Sequence, residues 1–185
     1  MTQKIYSQGS APIIWISGLS GAGKTTIGRE LIALLEESNF RPYLLDGDVL
    51  RGGLNNNLGF SLEDRNENLR RAAEVAKILS LAGVTPVCCF ITPTNDARSL
   101  VNNLMVDFPF VDVFLSTPLS VCESRDVKGL YAKARAGIIK EFTGISSPFE
   151  TPVSPTLELS TEGVSVNYCA SKIMDKLKDI FSDSF

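Results

Sequence analysis

Gly18-Leu19-Ser20-Gly21-Ala22-Gly23-Lys24-Thr25 matches the pattern G-x-x-x-x-G-K-[ST] at every fixed position. Glycines at such spacing let successive backbone N–H groups curl around a phosphate, and the positive end of the following helix faces the anion. An apolar run at residues 13–16 precedes the motif, and a segment of helical periodicity follows it. Because this is the context that a phosphate-binding loop requires, we predict a nucleoside triphosphate site here.

Two side chains of this phosphate-binding loop (the P-loop, residues 18–25) carry the expected chemistry. Lys24 is expected to bridge the β- and γ-phosphates, and the Thr25 hydroxyl is expected to ligate Mg²⁺. The structural alternative is a Gly-rich turn without a ligand, and the flanking strand and helix argue against it. We assign ATP binding to the following positions: Gly18, Leu19, Ser20, Gly21, Ala22, Gly23, Lys24, Thr25 and Thr26.

Beyond the P-loop, apolar strand-like runs alternate with segments of helical periodicity. The runs predict strands at residues 13–16, 42–45, 84–91, 111–115 and 156–159. Apolar side chains at helical spacing predict helices at residues 27–39, about 64–82, 97–106 and 170–180. Strands that alternate with helices form right-handed βαβ units. We therefore predict an α/β fold, with a parallel sheet of about five strands and helices on both faces.

The composition narrows the class of protein. A chain of 185 residues with 44% apolar residues suits a single domain, residues 1–185, and a net charge of −3 argues against nucleic-acid and membrane partners. Histidine is absent, which excludes catalytic triads and His-ligated zinc. The four cysteines form no C-x-x-C pair, and residues 1–10 lack the apolar core of a signal peptide. We expect buried thiols and a soluble, cytoplasmic protein.

Among P-loop proteins, a kinase of small molecules fits best. A GTPase should carry an N-K-x-D motif, and this sequence contains none. A kinase needs an acceptor pocket and a basic lid that excludes water, since ATP is otherwise hydrolysed. Two irregular stretches supply both features: residues 52–61 are rich in Gly and Asn, and residues 126–155 mix Lys, Arg, Gly and Pro. We therefore predict a P-loop kinase-type fold with a lid at about residues 126–149.

Two carboxylates lie at the predicted end of the second strand. Asp46 and Asp48, with Arg51 one turn further on, would share a site with the P-loop lysine. Carboxylates in that position suit Mg²⁺ positioning and deprotonation of an attacking hydroxyl. The structural alternative for Asp48 is a helix cap followed by a solvated charge.

The helix predicted to begin at Asp64 carries three arginines, Arg65, Arg70 and Arg71. Guanidinium forks suit phosphate, sulfate and other oxyanions, so this helix is expected to face an anionic acceptor. Phe60, at the end of the Gly/Asn loop, could stack on a nucleobase, with a purely structural role as the alternative.

Two longer runs resemble the adenylylsulfate kinase family. The first is Leu45-Asp-Gly-Asp-Val-Leu-Arg51, continued by Gly-Leu…Asn-Leu-Gly-Phe-Ser…Glu-Asp-Arg…Glu-Asn…Arg-Arg up to residue 71. The second is Val121-Cys-Glu-Ser-Arg-Asp-Val-Lys-Gly-Leu-Tyr-Ala-Lys-Ala-Arg-Ala-Gly followed by Ile-Lys-Glu-Phe-Thr-Gly-Ile145. The resemblance covers essentially the whole chain. It implies an enzyme that uses MgATP to phosphorylate the ribose 3′-hydroxyl of adenosine 5′-phosphosulfate, and it implies a homodimer.

The resemblance also implies roles for individual residues. It implies that Lys24, Asp46 and Asp48 are catalytic and that Thr25 and Asp48 bind the metal. It also implies that Arg125 lies near the adenine of ATP. The residues expected to bind the acceptor are Asp48, Arg51, Phe60, Arg65, Asn68, Ile91, Thr92, Lys128 and Phe142.

The chain departs from the family pattern at two places. Thr92-Pro93-Thr94-Asn95-Asp96-Ala97-Arg98 replaces Ser-Pro and a basic segment, and Ile138 stands where Glu is common. These departures leave a second hypothesis open, a kinase of the same fold that acts on another nucleotide-linked oxyanion such as a nucleoside diphosphoramidate. A third hypothesis is a nucleotide-dependent binding module without catalysis, against which the intact Lys24, Thr25, Asp46 and Asp48 argue.

Overall fold

The computed structural model describes residues 9–181. Residues 1–8, which hold most of the polar N-terminal segment considered above, and residues 182–185 lie outside this range. In chain order the elements are β1 (Ile13–Gly18), α1 (Lys24–Glu37), β2 (Pro42–Asp46), α2 (Gly47–Arg51), α3 (Leu62–Leu81), β3 (Thr85–Cys89), α4 (Asn95–Leu104), β4 (Phe110–Leu115), α5 (Leu119–Arg125), α6 (Leu130–Arg135), β5 (Leu157–Leu159) and α7 (Val166–Ile180).

The strands form one parallel sheet in the order β2-β3-β1-β4-β5. β1 lies at the centre, where Ile14 pairs with Val87 of β3 on one side and with Val111 of β4 on the other. Every residue of β1 is buried, as expected for a strand covered on both faces. The predicted α/β fold with a five-stranded parallel sheet is confirmed.

Alternate residues of β1 face two separate hydrophobic cores. Ile14 and Ile16 pack in one core with apolar side chains of α1 and α7. Ile13 and Trp15 pack in the other with side chains of α3 and α4. Because side chains of a strand alternate between its two faces, one short apolar run organises both helical layers.

The bounds of α3 differ from the prediction. It begins at Leu62 rather than Asp64, because the Ser61 hydroxyl accepts a hydrogen bond from the Asp64 N–H at 3.1 Å and caps the helix. It ends where Gly83, at φ +73°, adopts the left-handed conformation of a helix C-terminus. Ala82, predicted on the buried face, is exposed because it lies beyond the last helical turn.

β3 is shorter than the predicted strand at residues 84–91. The Phe90 N–H still donates to the Ile16 carbonyl, and the Ile91 carbonyl still accepts from the Gly18 N–H. The chain then leaves the sheet at Thr92, whose φ of +46° no β-strand allows.

The carboxyl ends of the three strands β1, β2 and β3 meet at one edge of the sheet, where open α/β sheets bind their ligands. The P-loop follows β1, Asp46 ends β2, and Thr92 follows β3. Within residues 9–181, none of the helices has the length and apolarity that a membrane crossing demands.

Candidate active site

A cavity of about 1350 Å³ opens at this edge of the sheet. Its walls come from the P-loop, the α2–α3 region, the segment after β3, the lid and the β5–α7 loop. Every predicted site residue lines it except Gly18, Leu19 and Ala22, of which Leu19 and Ala22 are buried in the core beneath the loop. The structure therefore brings the predicted ATP-side and acceptor-side residues to one space.

Lys24 lies folded back over the P-loop. Its Nζ donates to the Gly18 carbonyl at 2.9 Å and to the Leu19 carbonyl at 2.7 Å. Burial lowers the pKa of Lys24 to about 8, so the side chain is still mostly protonated at neutral pH. A weakly hydrated ammonium at this position favours an incoming phosphate, because little water has to be removed.

Thr25, Asp46 and Asp48 supply hard oxygen ligands beside the P-loop. The Thr25 hydroxyl donates to Asp46 Oδ2 at 2.6 Å, and Asp46 Oδ1 accepts the Asp48 N–H at 2.9 Å. No group of three or more His, Cys, Asp or Glu residues that could hold a metal occurs within residues 9–181. The donor set nevertheless fits Mg²⁺, which binds one or two carboxylates and takes its other ligands from substrate phosphates and water.

The lid reaches the carboxylate of Asp48 through Lys128. Lys128 Nζ donates to Asp48 Oδ2 in an ion pair whose two side chains are largely exposed. The hydrogen bond to Asp48 raises the pKa of Lys128 above its ordinary value. The contact places a positive charge of the lid directly beside the predicted base.

Arg51, Phe60 and Arg65 line the cavity together, on its predicted acceptor side. The Arg51 guanidinium carbon lies 4.5 Å from the Phe60 ring centroid and that of Arg65 lies 5.5 Å from it. Arg65 also donates to the Phe60 carbonyl at 2.8 Å and to the Glu141 carbonyl of the lid at 2.7 Å. Burial lowers the pKa of both arginines, yet both remain charged. Two partly desolvated guanidinium groups beside an aromatic ring suit an anionic nucleotide.

Only one of the three arginines of α3 faces the cavity. Arg70 and Arg71 donate to Glu67 at 2.7 and 2.8 Å. These hydrogen bonds lower the pKa of Glu67 to about 2. Of the three arginines that indicated an oxyanion site, Arg65 therefore lines the cavity, whereas Arg70 and Arg71 pair with a carboxylate on their own helix.

Thr92 and Asn68 are held by partners that the sequence did not indicate. The buried Trp15 indole N–H donates to Thr92 Oγ1 at 2.9 Å across the sheet edge. The Asn55 side chain donates to Asn68 Oδ1 at 3.0 Å. Trp15 and Asn55 thus support site residues from outside the cavity lining, and sequence reasoning missed both because neither belongs to a recognised motif.

Arg125 lies on the ATP side of the cavity and contacts the P-loop. Its Nη1 donates to the Gly21 carbonyl at 3.2 Å and to Thr161 Oγ1 at 2.8 Å, and its Nη2 donates to the Thr161 carbonyl at 2.9 Å. Thr161, also missed, precedes α7 and lines the cavity. The β5–α7 loop is thereby fastened to the loop that would hold the phosphates.

A P-loop between a central strand and a helix, two carboxylates beside it, and a cationic, aromatic acceptor wall under a lid define a P-loop kinase of small molecules. Residues 10–160 match the family described as adenylylsulphate kinase. The chain belongs to this family.

Individual relatives agree with the family. An adenylyl-sulfate kinase of Shewanella amazonensis is 51% identical over 165 residues, which is 89% of this chain and 83% of that protein. The structure of the Mycobacterium tuberculosis APS kinase CysC in complex with AMPPNP and APS superposes with a TM-score of 0.89 at 43% identity, covering 91% of this chain and 98% of that one. The structure of a hexameric APS kinase from Thiobacillus denitrificans superposes with a TM-score of 0.67 at 27% identity, covering 91% of this chain and 29% of that one.

Proposed function

We propose that this protein transfers the γ-phosphoryl group of ATP to the ribose 3′-hydroxyl of adenosine 5′-phosphosulfate, which gives 3′-phosphoadenosine 5′-phosphosulfate and ADP. The observation that carries the proposal is the position of Asp48. Its carboxylate lines one cavity together with the P-loop and the wall of Arg51, Phe60 and Arg65. An acceptor hydroxyl held against that wall would meet the phosphate bound by the P-loop.

The reaction would proceed by direct in-line transfer. The bond from the 3′-oxygen to the γ-phosphorus forms as the bond to the bridging oxygen of ADP breaks, and the hydroxyl proton passes to Asp48. Lys24 stabilises the charge of the transferring phosphoryl group. Thr25 and Asp48, with Asp46 behind them, would hold Mg²⁺, which neutralises phosphate charge when bound.

The acceptor would be recognised by the remaining lining residues. Arg51 and Arg65 would contact the phosphosulfate, and Phe60 and Phe142 would contact the adenine. The lid would close over it through Lys128. The other acceptor residues that we propose are Asn68, Ile91 and Thr92.

Most of the departures from the family pattern lie outside the cavity, although Thr92 and Pro93 line it. The lining includes residues 91–93 but none of residues 94–98, where the basic residues are missing. Thr94 instead caps α4 by accepting the Ala97 N–H at 3.2 Å, and Arg98 is buried. Ile138 is exposed and also lies outside the lining. This placement favours adenosine 5′-phosphosulfate over a nucleoside diphosphoramidate as the acceptor.

ADP release measured with a panel of nucleotide acceptors tests the proposal. We expect turnover with adenosine 5′-phosphosulfate and at most a few per cent of that rate with a nucleoside diphosphoramidate or with AMP. The opposite ranking would favour the rival acceptor. Nucleotide binding without turnover on any acceptor would favour a binding module.

We also propose that the protein is a cytoplasmic homodimer. All four cysteines are buried free thiols, in keeping with a reducing compartment. Ile78 and Leu81 of α3 are large apolar side chains that are 66% and 59% exposed, as a subunit contact would require. Sedimentation of the purified protein distinguishes a dimer from a monomer or a hexamer.

A further inference from the structure

Side chains outside the P-loop hold its carbonyl groups. Beside the Arg125 contact described above, the Tyr131 hydroxyl donates to the Ser20 carbonyl at 2.9 Å. A trans peptide group points its C=O and its N–H in opposite directions. Because Ser20 C=O and Gly21 N–H belong to one peptide group, the Tyr131 hydroxyl sets the direction of the Gly21 amide.

The backbone alone does not fix this peptide group. Gly21 has a φ of +76°, and an added Cβ would lie 2.9 Å from the Cys122 carbonyl oxygen. Only glycine fits there, and glycine restricts the rotation of its own peptide groups least of all residues. The orientation of the Gly21 amide therefore depends on the hydrogen bond that its neighbouring carbonyl accepts.

Tyr131 also contacts the acceptor side. It lies in α6 within the lid, it is only 2% exposed, and its ring meets Phe142 edge-on with centroids 4.9 Å apart. Burial raises the pKa of Tyr131, so the phenol keeps its proton and stays a donor throughout the physiological range. One side chain thus links the P-loop amide to the aromatic residue proposed to cover the acceptor.

We infer that Tyr131 is a positioning residue of the phosphoryl transfer: its hydroxyl aims the Gly21 amide at the ATP phosphates, and its ring supports Phe142 over the acceptor. This inference rests on the proposed function. It predicts that loss of the hydroxyl weakens the binding of ATP alone, whereas loss of the ring weakens the binding of both substrates.

Tyr131→Phe separates the two contacts, since it removes the hydroxyl and keeps the ring. We expect the Kd of the ATP analogue AMPPNP and the KM for ATP to rise about fivefold, the effect of one net hydrogen bond, with the KM for adenosine 5′-phosphosulfate within twofold of wild type. Tyr131→Leu, which loses the ring as well, should raise both KM values. Tyr168→Phe, on the exposed side of α7, is the matched control and should change neither.

Three outcomes of the Tyr131→Phe experiment would overturn the inference. They are an unchanged affinity for AMPPNP, an equal loss for both substrates, and a protein that does not fold, because the hydroxyl would then serve the fold rather than the nucleotide. The proposed function fails separately. Wild-type protein that binds AMPPNP but does not phosphorylate adenosine 5′-phosphosulfate would contradict the proposed function. It would not contradict the role of the Tyr131 hydroxyl in nucleotide binding.

Discussion

At the scale of single residues, the protonation of Lys24 controls the phosphate site. Within residues 9–181, the Lys24 Nζ donates only to backbone carbonyls, and burial lowers the pKa of Lys24 to about 8. A bound triphosphate adds negative charge and raises that pKa. The triphosphate therefore binds preferentially to protein in which Lys24 is protonated. Its affinity must fall at pH values where Lys24 of the free protein has lost this proton.

We expect the Kd of AMPPNP to be constant below pH 7 and to rise above about pH 8, by at most tenfold per pH unit. Titrations between pH 6.5 and 9.5 measure the profile. Lys24→Arg is the control, because a guanidinium does not titrate in this range and its profile should be flat. A wild-type profile as flat as that of the variant would show that Lys24 is not the titrating group.

Thr92 combines burial, strain and a hydrogen bond from a distant tryptophan. It is 2% exposed, its φ is +46°, and Trp15 donates to its hydroxyl. A β-branched residue in the left-handed region is an outlier that its surroundings must stabilise. Thr92→Val would leave the buried indole N–H without an acceptor.

We expect Thr92→Val to lower the free energy of unfolding by about 1–3 kcal/mol while keeping substantial kcat, because the hydroxyl takes no part in the transfer. Thr92→Ser keeps the acceptor oxygen and removes the β-branch, so it should be at least as stable as wild type. Denaturant unfolding and turnover assays measure both effects.

Thr92 also bears on the route of the phosphate. A phosphate on the Thr92 hydroxyl would bring about two negative charges into the cavity beside an anionic acceptor. We expect mass spectrometry after incubation with MgATP alone to find no phosphothreonine. A stoichiometric phosphate on Thr92 that passes into product would contradict direct transfer.

At the scale of secondary-structure elements, the periodicity of apolar residues predicted the strands and the longer helices. The five strands and the helices α1, α3, α4 and α7 are confirmed because each places several apolar side chains at its own spacing. The helices α2, α5 and α6 have five to seven residues and were not predicted, since one or two turns leave no period to detect.

The same limit applies to the site. Motifs and the family resemblance pointed to the residues around the cavity, because each belongs to a contiguous run. The contacts that hold them, from Trp15 to Thr92 and from Tyr131 to Ser20, join residues 77 and 111 positions apart. No local pattern records such pairs, so only the folded chain reveals them.

Arg65 joins three elements of the acceptor side. From α3 it bonds to the carbonyl of Phe60 in the preceding loop and to that of Glu141 in the lid. Arg65→Ala should raise the KM for adenosine 5′-phosphosulfate roughly ten- to hundredfold and the KM for ATP by less than threefold. Arg70→Ala is the matched control on the same helix, since Arg70 pairs with Glu67 and faces away from the cavity. Equal effects of Arg65→Ala on both substrates would mean that Arg65 only braces the helix.

At the scale of the whole molecule, the P-loop is structurally continuous with the central strand and with both hydrophobic cores. β1 belongs to both hydrophobic cores, and the P-loop leads from it directly into α1. A ligand bound by the loop therefore stabilises the native state as a unit, by about 2.7 kcal/mol at a hundred times its Kd.

We accordingly expect AMPPNP with Mg²⁺ at that concentration to raise the Tm of wild-type protein by roughly 5–10 °C, in a single transition. Lys24→Ala should unfold at a similar Tm without ligand, because the Lys24 side chain donates to carbonyls of the loop that carries it. It should lose most of the rise in Tm together with phosphoryl transfer. Differential scanning calorimetry with and without the analogue measures both. A variant that keeps the full rise, or keeps turnover within tenfold of wild type, would mean that this loop is not the catalytic ATP site.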